Sequence, residues 1–420
     1  MVTIPLTRPH LPAAVGTTGR VTGVGTPDFT AHIARYGPLP ALAQPRELIG
    51  LIDAAGLLGR GGAGFPTARK MVAVTGRGTV VIANGAEGEP ASRKDAYLLE
   101  NAPHLVLDGL ELAAAAVGAR ELHLYAGAAL LPSVRRALHE RPSRGRRQHT
   151  VQLTEAPDTF IAGEESAVLS RIEGRPALPR DRVVITAASG LRGHPTLVQN
   201  VETLAHIGLI ARYGPTWFRS LGTPADPGTM LVTLSGAVRD ASVVEVPLGI
   251  ALDRLLLDHA YTPPAHLRAV LLGGFHGAWI PANALAQTSL SRQSLQRHHA
   301  SPGAGVVSAL AADECGLRSS ADITAYLAQQ SAGQCGPCIN GLPRLADVLN
   351  RLAYGPPEPG LDREVHRLLR LVDGRGSCRH PDGTARFIRS ALTVFASDIP
   401  HHLRGRCEAG STTIPSPGPR

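Results

Sequence analysis

At 420 residues, 43% of them hydrophobic and 18% charged, the chain is too long for one ordinary domain and too apolar to be disordered. Its net charge of +8 comes from 42 basic against 34 acidic residues, and all but two of the basic ones, Lys70 and Lys94, are arginine. This is a compositional bias, and with only 4% aromatics and scattered basic residues it excludes a nucleic-acid binder. Five cysteines, an odd number, make no disulfide framework. The opening Met1–Leu6 lacks a charged segment followed by an apolar core, and no uncharged apolar run reaches the ~18 residues a membrane helix needs. The chain therefore reads as cytoplasmic, with reduced thiols available for metal or redox chemistry.

Residues 1–44, rich in Thr, Gly and Pro without periodicity, read as an N-terminal arm. Pro45 suits a first helical turn, and Leu48, Ile49, Leu51 and Ile52 form one apolar stripe. Gly59-Arg-Gly-Gly-Ala-Gly-Phe-Pro-Thr67 follows. Its Gly59-x-Gly61-x-x-Gly64 spelling matches a dinucleotide fingerprint, but a helix precedes it and Pro66 interrupts it, so that reading fails on context. Glycines at 59, 61, 62 and 64 still let backbone N–H groups approach an anionic phosphate, with Lys70 as a nearby point charge. The alternative is a plain tight turn.

A strand at 79–83 runs into the acidic loop Asn84-Gly-Ala-Glu-Gly-Glu-Pro90, where ligand sites of α/β sheets lie. Glu87 and Glu89 suit hydrogen bonds to hydroxyl groups. Glu164 and Glu165 form a second pair, opening a helix, where carboxylates also serve as simple dipole partners. One long helix is expected from Asp95 to Gly118, then a strand at 121–126, a helix at 128–140 and a strand at 149–154. This alternation predicts a parallel sheet covered by helices. The basic run Arg135–Arg147 reads as a solvated helix end and loop.

From 229 the pattern changes to short strands around one helix, a small β-grasp-like unit, and from 320 to 396 it is helical. Cys335-Gly-Pro-Cys338 spells a thioredoxin-type dithiol, yet it sits between helices. That context favours iron–sulfur ligation with the distant Cys378; zinc is a weaker third reading. Cys315 and Cys407 read as bystanders, with Cys315 the nearest further sulfur. The tail from Gly405 is polar and rich in Pro and Ser, and reads as disordered.

Together these segments resemble the NADH-binding flavoprotein subunit, the F chain, of respiratory complex I and of related NAD-linked hydrogenases and formate dehydrogenases. The pieces come in the family's order: the glycine loop, the acidic loop, Gly163-Glu-Glu165, Gly193-His-Pro-Thr196, Val198-Gln-Asn-Val-Glu-Thr203, Ser331-Ala-Gly-Gln-Cys-Gly-Pro-Cys338 and Cys378. Both lysines fall in or beside these motifs.

The resemblance implies an α/β flavin-binding domain with a parallel sheet over 45–226 and a small β-grasp (SLBB-like) domain over 227–300. A C-terminal helical bundle that binds iron–sulfur over 301–398 and a tail over 399–420 complete it. It implies an FMN site built from Gly59, Gly61, Gly62, Lys70, Asn84, Val198, Asn200 and Thr203. Glu87, Gly88 and the catalytic Glu89 would lie near the flavin and the nicotinamide. Glu164 and Glu165 would meet NADH ribose hydroxyls, and Phe65 would stack on adenine. Cys335, Cys338 and Cys378 would hold a 4Fe-4S cluster.

The sequence departs from the family pattern at Ala332, where a cluster cysteine is expected. It departs also at Ala86 for an aspartate, Phe160 for a tyrosine, Ala73 and Ile185 for aromatics, and Arg182 for a lysine. The expected activity is that of a cytoplasmic flavoprotein, free or peripheral to a membrane-bound redox complex. It would oxidise NADH or NADPH at FMN and pass electrons to a 4Fe-4S cluster and an acceptor such as a ferredoxin-like or other redox subunit. The alternatives are a cluster-free flavin reductase and a non-catalytic scaffold subunit that has lost NADH binding.

Overall fold

The computed structural model describes residues 19–40, 44–142, 150–180, 185–407 and 409. Several expectations fall partly outside the described residues: most of the N-terminal arm, the basic run beyond 142, Arg182, and the tail at 408 and from 410. The chain divides into two compact units. The first runs to Thr233 and adds Ala241–Ile250 and Gly303–Gly305. The second holds Leu234–Asp240, Ala251–Pro302 and the chain from Val306.

In the first unit the order is α1 (Phe29–Tyr36), α2 (Glu47–Ala55), α3 (Thr67–Val72), β1 (Val80–Gly85), α4 (Lys94–Asn101), α5 (Pro103–Val117), β2 (Glu121–Gly127), α6 (Leu131–Glu140), β3 (Val151–Ala156), α7 (Glu165–Ile172), β4 (Thr196–Asn200) and α8 (Val201–Arg219). Strands β5 (Thr229–Gly236), whose last residues belong to the second unit, and β6 (Ser242–Pro247) follow. Strands β1 to β4 form one sheet in the order β3-β2-β1-β4, every neighbouring pair parallel. Val80 sits opposite both Glu121 and Thr196, which fixes the register of the central strand.

The side chains of β1 alternate between two cores. Val81 and Ala83 join Leu105, Leu110, Leu204 and Ile207 from α5 and α8. Val80 and Ile82 join Tyr125, Val168, Leu169 and Val198 on the other face. A parallel strand buried on both faces needs such a continuous apolar run, and Val80-Val-Ile-Ala83 supplies it.

The single helix expected from Asp95 to Gly118 is two helices. Ala102, with φ −139° and ψ 43°, leaves the helical region, and Pro103 opens α5. Proline disfavours a helical residue before it and has no N–H to continue the ladder. Gly118, at φ 67°, then ends α5 with a left-handed residue. Helices α5 and α8 approach backbone to backbone: a Cβ on Gly109 would stand 1.8 Å from the Leu204 carbonyl oxygen. Helix α8 breaks at Gly214, φ 82°, ahead of Pro215.

The second unit contains α9 (Leu252–Ala260), β7 (Leu267–Leu272), β8 (Ala278–Pro281), α10 (Arg292–Leu295) and β9 (Val306–Ala311). Helices α11 (Gly316–Gln329), α12 (Leu342–Tyr354), α13 (Leu361–Val372), α14 (His380–Val394) and α15 (Ile399–His402) complete it. Strand β7 pairs antiparallel with both β8 and β9, placing Val270 opposite Ile280 and Ala309. Trp279 of β8 joins the sheet to the helices: its Nε1–H donates to Ser320 Oγ at 3.0 Å and Phe395 packs edge-on, with ring centres 5.4 Å apart. The helical region starts at Gly316, a few residues before the expected 320.

Gly109→Ala tests the α5–α8 contact with a sign that local propensity alone would reverse. Alanine favours a helix over glycine by up to about 1 kcal/mol, whereas overpacking costs about 1–3 kcal/mol. Urea unfolding should show a net loss of stability; an unchanged or raised midpoint would mean the helices separate at no cost.

Candidate functional site

The strand order reverses beside β1: β2 and β3 lie to one side and β4 to the other. Such a switch point opens a crevice at the carboxyl ends of β1 and β4. Strand β1 ends there at Asn84-Gly85, and β4 ends at Asn200, which passes directly into α8. Asn200 Oδ1 accepts the Glu202 N–H at 3.0 Å and so caps α8, while its Nδ2 donates to Asp95 Oδ2 at 2.7 Å. Asn84 Nδ2 donates to the Gly163 carbonyl at 2.9 Å, and its Oδ1 accepts the Ala86 N–H at 3.1 Å. Gly88 is tied to the same wall, because a Cβ there would lie 2.2 Å from the Phe160 carbonyl oxygen. The acidic loop and the segment before α7 are therefore clasped backbone to backbone.

The glycine loop closes over this crevice. Gly59 N–H donates to the Phe65 carbonyl at 2.9 Å and Thr67 N–H to Leu57 at 3.0 Å. Gly62 (φ 107°) and Gly64 (φ 59°) take the left-handed conformations that turn the loop. Gly61 is exposed at the apex, and a Cβ on it would come 3.2 Å from Asn200 Cβ. Arg60, between them, points inward: its N–H donates to Thr203 Oγ1 at 2.9 Å and its guanidinium to the Thr229 carbonyl at 3.0 Å. A helix does follow this loop. Pro66 acts as the cap, and α3 begins at Thr67, because proline's fixed φ suits the position before the first helical hydrogen bonds. A helix, α2, still precedes the loop, so the dinucleotide fingerprint remains unmet.

Lys70, on α3, donates to Glu165 Oε2 at 3.0 Å and to the Val198 carbonyl at 2.7 Å, both partners from the crevice wall. Phe65 is 51% exposed, with the Arg69 guanidinium 5.9 Å from its ring centre. The acidic pairs divide their work. Glu87 is buried and accepts from Ser92 Oγ at 2.5 Å and from the N–H groups of Asp95 (3.1 Å) and Ala96 (3.2 Å), capping α4. Glu164 caps α7 through the N–H groups of Ser166 (2.8 Å) and Ala167 (3.2 Å). Glu89, half-buried, accepts the Ala91 N–H at 3.3 Å. These contacts link Gly61, Lys70, Asn84, Glu165, Val198, Asn200 and Thr203 through the ends of β1 and β4, and one carboxylate of each acidic pair is committed to a helix terminus.

Sequence reasoning missed the charged cluster beneath the crevice floor. Lys94 is 2% exposed, with Nζ 2.7 Å from Asp95 Oδ1 and 3.1 Å from Glu202 Oε2. Glu202 Oε1 also accepts the Leu231 N–H at 2.8 Å. Burial raises the Glu202 pKa, but Lys94, His206 and Arg60 outweigh it and hold the carboxyl down at about 2. Burial, reinforced by Glu87 and Glu202, pushes Asp95 up. Lys94 as the second lysine of a nearly lysine-free chain was the one available signal.

The thiols sit in the second unit. Cys335 and Cys338 lie in the turn between α11 and α12, Cys338 within a wide π-helical turn over Pro337–Gly341. Cys378 lies just before α14. Burial first, then the neighbouring Cys335 and Cys378, pushes the Cys338 thiol up to about 11, while the Ala332 N–H pulls the other way. The three sulfurs are therefore electrostatic neighbours at the entrances of two helices. Cys315 does not join them: its sulfur is 3.3 Å from His402 Nε2.

Residues 52–209 match the Nuo51 FMN-binding domain family, and residues 318–402 match the NADH-ubiquinone oxidoreductase-F iron-sulfur binding region. One NADH-quinone oxidoreductase F subunit of Rhizobium meliloti (strain 1021), that organism's F 2 protein, is 32% identical over 379 residues, covering 86% of this chain and 90% of that protein. The chain belongs to the family of NADH-quinone oxidoreductase F subunits. The F subunit of the Escherichia coli (strain K12) enzyme is 29% identical over 386 residues, covering 85% of this chain and 84% of the relative. Among solved structures, an NAD+-reducing [NiFe]-hydrogenase in the H2-reduced state superposes with a TM-score of 0.79 at 29% identity. That match covers 87% of this chain but only 63% of the hydrogenase chain.

The family matches make the chain an oxidoreductase with a flavin-binding and an iron–sulfur-binding region. Every flavin-side candidate from Gly59 to Thr203 lies in the first matched region, and Cys335, Cys338 and Cys378 lie in the second. The crevice residues fit FMN. The open Gly61 apex leaves the room over Asn200 that a side chain would fill, and Lys70, held to Val198 and Glu165, places a cationic group on the same wall as β4. Buried Thr67 Oγ1 and Gln199 Nε2 have no hydrogen-bond partner among the described residues. The cysteine set supplies three thiolates for a cluster, and position 332, three residues before Cys335, is alanine.

Glu202→Gln should reveal how the buried cluster stabilises this region. The ionised Glu202 stabilises the fold above its unfolded pKa near 4.3, and that contribution is lost as pH falls toward about 2. The stability difference between wild type and variant, from urea unfolding, should thus be large at pH 7 and shrink by pH 3. A difference independent of pH would contradict the role of the charge.

Proposed function

We propose that this F-family chain is an electron-input subunit that oxidises NADH at a flavin and sends the electrons to a cluster and on to a partner redox protein. The observation that carries this reading is the convergence of the glycine loop, the acidic loop and Asn200/Thr203 on the switch-point crevice. Bound FMN would supply the step from a two-electron donor to one-electron acceptors.

The chain's own part is binding and orientation. Gly61 and Gly62 would offer backbone N–H groups to an anionic phosphate, Gly59, whose N–H is held by the Phe65 carbonyl, would close the loop beneath them, and Lys70 would add a cationic group. Asn84, Val198, Asn200 and Thr203 form the floor that the flavin chain would follow. Gly88 brings backbone close to the ring, and Glu89 beside it is the proposed catalytic group, positioned for the nicotinamide. Glu165 is proposed to accept from ribose hydroxyls, and Glu164 and Glu87 to hold the helix entrances that shape the site. Phe65, exposed at the rim, is proposed as the adenine platform. Ala73 and Ile185 are exposed positions that offer no second ring, which supports weak nucleotide binding.

Stopped-flow mixing of the anaerobic flavoprotein with NADH tests the donor. Bleaching of the flavin absorbance is expected. Reduction by dithionite but by neither NADH nor NADPH would reject a nicotinamide donor and favour electrons arriving from another protein.

Ala332 favours one second reading, a cluster-free flavin reductase. Three thiolates can hold a four-iron cluster whose last iron takes an outside ligand. Iron and sulfide assays on anaerobically prepared protein decide between them: about four irons per chain, lost in Cys378→Ser, are expected for the cluster. Iron-free protein with a reducible Cys335–Cys338 bond would leave the reductase.

A further inference from the structure

Three residues from two separate stretches meet away from the cluster cysteines. Cys315 caps the start of α11, His402 ends α15, and Cys407 follows in the next turn of chain. Their ligand atoms all lie within 4.8 Å of one another, with Cys315 Sγ and His402 Nε2 3.3 Å apart. All three are buried, at 8%, 2% and 7% exposure. We propose that Cys315, His402 and Cys407 form a separate metal site for a soft divalent ion of the zinc class.

The geometry is close to what such an ion requires. In a tetrahedral zinc site with Zn–S near 2.3 Å and Zn–N near 2.0 Å, the donor atoms stand roughly 3.5–3.8 Å from each other. The trio needs only small side-chain rotations to reach that spacing. Two thiolates and one imidazole are the soft donor set that selects zinc over magnesium or calcium. The charge also balances: two thiolates neutralise the dication, so the buried site carries no net charge. On binding, each thiol gives its proton to solvent and the metal keeps its oxidation state. The remaining position would be filled by water, since the nearby Asp398 carboxylate is already held by both of its oxygens to Arg268, at 2.5 and 2.6 Å. Cys407 Sγ donates to the Ala409 carbonyl at 3.7 Å, a weak hydrogen bond that metal binding would replace.

The site is separate from the cluster cysteines: Cys315 and Cys407 lie outside the matched iron–sulfur region, residues 318–402, and His402 is its last residue. A metal here closes a loop of some ninety residues, so it would fasten the end of the described chain to the start of α11 and cost the unfolded chain conformational freedom.

Full-length protein, prepared under reducing conditions, washed with chelator and resupplied with zinc, should retain about one zinc per chain by elemental analysis, measured beside iron in the same sample. Cobalt substitution should give thiolate-to-metal absorption, a readout that needs no variant. Cys407→Ser and His402→Ala should lower zinc at least about fivefold with iron unchanged. Cys338→Ser should lower iron and leave zinc in place. The proposal is overturned if wild-type protein takes up neither zinc nor cobalt, if zinc follows Cys338 instead of Cys407, or if peptide mapping finds Cys315 and Cys407 joined as a disulfide in the native protein.

Discussion

The crevice rests on a buried ammonium. Lys94 lies under the carboxyl ends of β1 and β4, between Asp95 and Glu202, and the acidic loop and the end of β4 both bond to the residues around it. Glu87, from the loop after β1, caps the helix that carries Lys94. Asn200, at the end of β4, bonds Asp95 and caps α8. Arg60, from the glycine loop, reaches Thr203 one turn into α8. Removing two charges from water is expensive, and a buried pair recovers that cost only when its remaining bonding capacity is filled. Here Asn200 and the Leu231 N–H meet part of that capacity, while Glu202 Oε2 keeps its ion pair with Lys94, so the cluster ties the loops around it into one arrangement.

That arrangement was partly written in local chemistry. The glycine loop, the acidic loop and Cys335-Gly-Pro-Cys338 were legible because each carries its physics within a few residues: glycine permits close approach, and paired cysteines grip one centre. The alternation of apolar strands and helices likewise gave a parallel sheet. The proline at 103 was as visible as these, but the apolar stripe that continues across it masked the break between α4 and α5.

Contacts across long separations were not legible. Glu87 and Glu164 spell ligand-like carboxylates, yet whether each faces a ligand or a helix terminus depends on which N–H groups the fold brings to it. The partnership of Lys94 with Glu202 spans more than a hundred residues, and that of Cys315 with His402 and Cys407 nearly as many. Neither leaves any spacing pattern in the chain. Of the departures from the family pattern, Ala73 and Ile185 are exposed and Ala332 lies in the cluster turn, while Ala86 and Phe160 lie in the acidic loop and in the segment before α7.

The measurement closest to the central claim is an equilibrium titration of FMN into deflavinated protein, wild type against Gly61→Val. Gly61 is exposed and has no positive φ, so valine meets no backbone strain, and its Cβ, 3.2 Å from Asn200 Cβ, crowds the space over Asn200. Wild type should bind one equivalent, and the variant should bind at least about tenfold more weakly, a loss of about 1.4 kcal/mol. Equal affinity in the two proteins would place the flavin elsewhere and contradict the account.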